Sequence, residues 1–189
     1  MATRIRCVGY RKVIMHNTAF INAAYFYNKY CKENIGNKIV LDIGSYDVNG
    51  TLKPIFSNCK TYIGLDQSAG PNVDLVAESH NIPLEDKSID IIVSSSCFEH
   101  DPMFWVTFNE MCRLVKPSGF IYINAPSNGP YHAHPVDNWR FYKDSWKALE
   151  EWGRYSGHKV TLIETYIDPN KSSCGCWNDS VGIYQSDIL

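Results

Sequence analysis

A doubly wound, mostly parallel α/β sheet is the fold class that the sequence predicts, on three observations. Short apolar runs that end in an acid or run into a glycine recur at 38–42, 61–66, 89–93 and 120–124. Amphipathic segments with helix punctuation alternate with these runs, which is the pattern of a sheet covered by helices. The chain has 189 residues, 44% of them hydrophobic and 20% charged, about the length and balance of one globular domain.

Charge and hydropathy exclude other classes. Eighteen basic and 20 acidic residues leave a formal charge of −2, so the chain advertises no general field for nucleic acid or a membrane surface. No uncharged apolar stretch approaches the ~18 residues of a spanning helix. Arg4, Arg6, Arg11 and Lys12 precede the first acid, Glu33. With no serine before Ser45 and no apolar leader core, a targeting segment is not expected. Seven cysteines are an odd number, and their closest pair, Cys174-Gly-Cys176, fits no zinc spacing. Scattered reduced thiols in a cytoplasmic protein are expected. The sequence carries no signal of oligomeric state.

The elements follow in order. Residues 1–36 are expected to form a helical extension packed on the core of 37–189. Its helix, over 18–34, places Phe20, Ala24, Tyr27 and Cys31 on one stripe, capped by Asn17 or Thr18 and stopped by Gly36. Strands at 38–42 and 61–66 both end in Asp. Only 67–73 separates the second from the short apolar segment 73–77, too little for an ordinary crossover of a dozen residues. That connection is either a bare loop or leads into an abbreviated edge strand. After the strand at 89–93, Asp101 and Pro102 open a helix whose inner face is Trp105, Phe108, Met111 or Cys112, and Val115, ended by 116–119. A strand at 120–124 follows. A helix from Asp144 then buries Trp146, Leu149 and Trp152, and strands near 159–167 and 181–186 close the chain.

In such sheets ligands sit beyond the carboxyl ends of the strands. There the sequence places Gly44 after the first strand, which permits close backbone approach, and Asp66 after the second, suited to a ribose diol. Residues 78–83 can read an adenine edge, and the third strand runs into 94–100, Ser-Ser-Ser-Cys-Phe-Glu-His.

Six phrases in order then carry a resemblance: 40–44 VLDIG, 62–66 YIGLD, 80–83 HNIP, 88–92 SIDII, 98–100 FEH and 114–119 LVKPSG. They resemble class I S-adenosylmethionine-dependent methyltransferases, in particular the methyltransferase type 11 domains, with the domain at 37–189. The resemblance implies a Rossmann-like seven-stranded sheet of order 3-2-1-4-5-7-6 with the seventh strand antiparallel, and S-adenosyl-L-methionine as cofactor. It implies Gly44 under the methionyl part, Asp66 on the ribose, Glu78 and Ser79 near adenine, and Ser96 or Cys97 near the methionine end. Asp42, Ser45 and Gln67 flank these contacts. Tyr46 departs from the pattern, standing where a second glycine is usual, and the helix after Asp66 is missing.

A nicotinamide oxidoreductase is the rival, since Asp66 also suits a dinucleotide ribose. That fold needs GxGxxG for its pyrophosphate. Here 44–49, GSYDVN, keeps one glycine and adds Asp47, a like charge to any phosphate, whereas a sulfonium cofactor is cationic. A catalytically inert cofactor-binding protein is a further alternative. For O-methylation of a small acceptor such as a sugar, His100 is a candidate base, or alternatively a histidine that only fixes its turn. The loop 125–142 overhangs the same edge. His132, His134 or Asp137 offers a base there, and Tyr131, His132, Trp139 and Arg140 are candidate acceptor contacts. Its alternative role is a cover whose Trp139 and Phe141 seal the core. Some relatives hold a metal with Glu-x-x-Glu-His and a later histidine. Glu99-His100 and His132 or His134 fit three of these places, but Ser96 replaces the first glutamate, so no metal is expected.

Overall fold

The computed structural model describes residues 17–172 and 175–187. Arg4, Arg6, Arg11, Lys12, Cys7 and Cys174, and the first half of the expected extension, lie outside them.

Seven strands form one sheet: β1 (Ile39–Ile43), β2 (Thr61–Asp66), β3 (Leu75–Val76), β4 (Ile89–Ser95), β5 (Val115–Pro126), β6 (Val160–Ile167) and β7 (Asp179–Ser186). Their order is β3-β2-β1-β4-β5-β7-β6. The first five are mutually parallel, and β7 runs antiparallel to both β5 and β6. Central strands are apolar on both faces because both are covered. Leu41, Ile43, Ile92, Ile121 and Ile123 face one core, under α2 (Phe104–Leu114) and α3 (Lys143–Tyr155). Val40, Ile91, Val93, Tyr122 and Ile183 face the other, under α1 (Asn17–Phe26) and the segment around Leu52 and Phe56.

Four local features differ from the sequence expectation. The buried face of α1 is Ala19, Asn22, Ala23 and Phe26, while Phe20 is exposed. The contact is decided by Phe26, which stacks on Tyr122 of β5 at 5.0 Å. A π-helical turn, Tyr27–Cys31, then inserts an extra residue and brings Cys31 back into the core. In α2 the buried residues are Thr107, Phe108, Met111, Cys112 and Leu114, with Trp105 only partly covered. β5 starts at Val115, so 116–119 belong to the strand; Asp90 holds them through Lys116 Nζ (2.9 Å). In α3 Trp152 stays partly exposed and Gly153 takes the inner position against Phe108.

The abbreviated third strand is real. Residues 67–74 are a loop without helix, and β3 pairs with only Leu65 and Asp66. Alongside Gly64 the missing ladder is replaced: Asp74 Oδ2 accepts the Gly64 N–H (2.9 Å), and the Asp74 N–H donates to the Gly64 carbonyl (2.8 Å). Helical cover is also absent between β1 and β2 and between β3 and β4, where the chain forms turns.

Candidate active site

A cavity of about 750 Å³ opens at the carboxyl ends of β1, β2 and β4. From the loops after β1, β2 and β4 it is lined by Asp42, Gly44, Ser45, Tyr46, Asp66, Gln67, Ser96, Cys97, Glu99 and His100. From the later loops come His132, His134, Trp177 and Asp179. Among the described residues lining it there is no lysine or arginine.

The turn after β1 depends on Gly44. Its φ is +81°, and a Cβ there would lie 2.6 Å from the Cys97 side chain. Glycine is therefore required by both backbone and neighbour. Ser96 itself takes φ +53° and donates its N–H to the Asn124 carbonyl at 2.9 Å, which aims the chain after β4 into the cavity. Asp42 is buried and accepts from Tyr62 Oη at 2.5 Å. Burial pushes its carboxyl up to about 7. One oxygen of Asp66 accepts from the Ser68 N–H (3.0 Å).

Glu99, which the sequence offered only as one place of an incomplete metal pattern, is 1% exposed, and its Oε2 has no hydrogen-bond partner. Burial pushes its carboxyl up to about 8. Its backbone carbonyl holds the N–H groups of Asn138 (2.7 Å) and Trp139 (3.2 Å), fastening the 125–142 loop to the end of β4. His100 Nδ1 lies 2.6 Å from the Val136 carbonyl. A carbonyl only accepts, so Nδ1 carries the proton and Nε2 the lone pair. Desolvation lowers the pKa of His100 and favours its neutral form. His132 stacks edge-on against His100 at 4.8 Å, and His134 lies 6.4 Å from it between ring centroids. One ligand atom each of Glu99, His100 and His132 lies within 4.8 Å of the others.

Other expected site residues sit elsewhere. Asp137 is held by the Arg140 guanidinium in two hydrogen bonds (2.6 and 2.7 Å), which keeps its carboxyl well below the usual range. It also accepts the His132 N–H at 2.7 Å, and Arg140 packs over Trp177. Asp137 and Arg140 thus shape the loop, and neither lines the cavity. Trp139 donates to the Asp101 carbonyl (2.9 Å) and packs edge-on against Phe104, while Phe141 is buried. For these two aromatics the covering role holds. Tyr131 is 76% exposed and outside the lining. Glu78 and Ser79 are outside it too: the Ser79 hydroxyl bonds that of Thr107 (2.9 Å), and Glu110 and Arg113 tie Ile82 and Leu84 to α2. Trp177, against His132 at 4.5 Å, had no signal in the sequence because it follows β6, outside the strand tips inspected.

Asp42 and Glu99 both bind protons more tightly folded than in an unfolded chain, where such groups titrate near ~4. Their contribution to stability is therefore full below pH ~4 and lost as pH rises through about 7 and 8. His100, His132 and His158, whose pKa values are lowered by desolvation, oppose this until about a unit above the ordinary histidine value, ~7.5. The ligand-free thermal midpoint is expected to fall between pH ~7.5 and ~8.5, and Glu99→Gln to flatten the fall. Equal slopes in the two proteins would contradict the assignment of Glu99.

The strand order, the antiparallel β7 and a cavity at the β1, β2 and β4 tips define the class I methyltransferase fold. Residues 41–123 match the family model of a methyltransferase domain. An uncharacterised methyltransferase of Mycobacterium leprae is 29% identical over 137 residues, covering 65% of this chain and 50% of that protein. The chain thus spans about half the length of this relative. Among solved structures, the Burkholderia thailandensis 1,6-didemethyltoxoflavin-N1-methyltransferase superposes with a TM-score of 0.67 at 14% identity, over 89% of this chain and 78% of its own. An S-adenosylmethionine-dependent methyltransferase of Methanosarcina mazei gives 0.63 at 12% identity, over 87% and 98%. Residues 41–123 thus match a methyltransferase domain, and the sheet they belong to has the class I S-adenosylmethionine-dependent methyltransferase fold.

Proposed function

We propose that this chain transfers the methyl group of S-adenosylmethionine to a hydroxyl of a small acceptor, with His100 as the base. The observation that carries this reading is one cavity lined both by Gly44 and Asp66 and by a lone-pair-bearing His100. Acids without lysine or arginine suit a cationic, phosphate-free donor and oppose a pyrophosphate, which argues against a nicotinamide cofactor. The Burkholderia neighbour holds S-adenosylhomocysteine, in keeping with this choice.

When bound, the cofactor supplies a carbon already activated by a sulfonium. In this reading Asp66 takes the ribose hydroxyls, and Asp42, Gly44, Ser45, Gln67, Ser96 and Cys97 enclose the remainder. Bound there, the cofactor would supply the methyl group and keep the sulfur's electron pair, which leaves this chain's residues to orient the acceptor oxygen and take its proton. The hydroxyl proton passes to His100 Nε2. His132 and His134 wall the acceptor side.

Calorimetry with S-adenosylhomocysteine and with NAD tests the cofactor, and a screen of hydroxylated metabolites tests the acceptor. Binding of NAD alone would overturn the reading. Asp66→Ala is expected to weaken S-adenosylhomocysteine by ~1–3 kcal/mol; unchanged affinity would remove Asp66 from the site.

One observation favours a second reading, in which a divalent cation assists. Glu99, His100 and His132 fit such an ion: Glu99 Oε2 is a buried oxygen without a partner, and Val136 and Asp137 each face the Nδ1 of one histidine. The ion would lower the acceptor's pKa. Metal content of the purified protein, read by mass spectrometry for wild type and Glu99→Gln, separates the readings. A stoichiometric metal lost in the variant supports the second.

A further inference from the structure

The loop after β1 and the loop after β2 are joined residue by residue. Ser45 Oγ donates to the Asn72 carbonyl (3.1 Å), and Asn72 Nδ2 returns a bond to the Ser45 carbonyl (3.1 Å) and one to Thr51 Oγ1 (2.8 Å). The Asp47 N–H donates to the Pro71 carbonyl (3.0 Å). Between these, the Tyr46 ring lies on Gly70. A Cβ at Gly70 would sit 2.7 Å from Cζ, 2.8 Å from Cδ2 and closer still to Cε2. Gly64 leaves the corresponding space for the Asn72 carbonyl. The loop that replaces the missing helix is thereby fixed against the first turn.

Tyr46 also lines the cavity, together with Gln67, Ser68 and Ala69, and is 39% exposed. Its ring is thus backed by glycine and borders the space beyond Asp66. A ribose held by Asp66 would direct its base toward that space. The residues expected to read the base, Glu78 and Ser79, are outside the lining, and the Ser79 hydroxyl is engaged by Thr107. We infer that Tyr46, backed by Gly70, is the aromatic wall on which the adenine base of the cofactor packs. This rests on the cofactor reading above. An aromatic face suits a purine whatever its polar edge, so the contact grips the base with little need for hydrogen-bond readout.

The test is calorimetry of S-adenosylhomocysteine with wild type, Tyr46→Phe, Tyr46→Ala, Gly70→Ala and the Tyr46→Ala/Gly70→Ala double variant. Circular dichroism confirms folding of each. Tyr46→Phe keeps the ring and is expected to bind within about twofold of wild type. Tyr46→Ala is expected to bind about tenfold more weakly, the scale of losing one base–aromatic stack. Gly70→Ala should cost at least as much by displacing the ring. In the double variant the added methyl meets no ring, so affinity should match Tyr46→Ala alone. Unchanged binding by Tyr46→Ala, or losses that add in the double variant, would overturn the inference while leaving the cofactor reading intact. A wild type that does not bind S-adenosylhomocysteine overturns both.

Discussion

His100→Ala is expected to lower turnover by ~100- to 10,000-fold, the range for removing a general base, while S-adenosylhomocysteine affinity stays within about twofold. The Val136 carbonyl fixes the Nδ1 proton, so Nε2 keeps its lone pair, 3.7 Å from Glu99 Oε1, and desolvation keeps the ring neutral near neutral pH. Wild-type kcat should rise with pH through a value below that of an ordinary histidine, and the variant should lose this limb. His134→Ala should cost less, because that ring lies 6.4 Å from His100 and is not the proposed base. A His100→Ala enzyme within about threefold of wild type would move the base elsewhere in the cavity.

Trp146→Ala is expected to destabilise the fold by ~3–5 kcal/mol, the usual scale for deleting a buried indole. Trp146 is fully buried, stacks on Phe141 at 5.0 Å and 9°, and donates to Ser180 Oγ at 2.8 Å. Its ring lies against Gly182, where a Cβ would come within 2.9 Å, so β7 offers nothing to fill the gap. Denaturant melts should show the loss in the midpoint with an unchanged slope. Trp146→Phe keeps a ring against Phe141 and leaves the Ser180 hydroxyl without this donor, so it should lose clearly less. A Trp146→Ala loss below ~1 kcal/mol would mean that the two layers can close over the hole.

Much of the architecture was legible because strand ends and helix starts carry strong local chemistry. β2 falls where its run of Thr-Tyr-Ile-Gly-Leu-Asp places it, and the brevity of β3 follows from the few residues left after Asp66. The register of α1 was not legible. It is set by Phe26 meeting Tyr122, a partner 96 positions away, and by a π-helical turn that no periodicity announces. The same division holds at the site. Gly44, Asp66 and His100 follow strand ends, which a sequence marks plainly, and they line the cavity. Asp137, Arg140 and Trp139 lie in a loop whose side chains turn inward on one another, and spacing alone does not reveal such pairings. Glu99 was discounted as a ligand because Ser96 breaks the metal pattern, and only its burial beside His100 and His132 marks it out.

The pairing of Gly64 with Asp74 bears on the behaviour of this protein in crowded solution. A two-residue edge strand would normally leave the flank of its neighbour as a template for foreign chains. Here a carboxylate and its own amide occupy that flank at Gly64, and they add negative charge beside it. Loss of the helix on this side of the sheet thus brings no open invitation to polymerise.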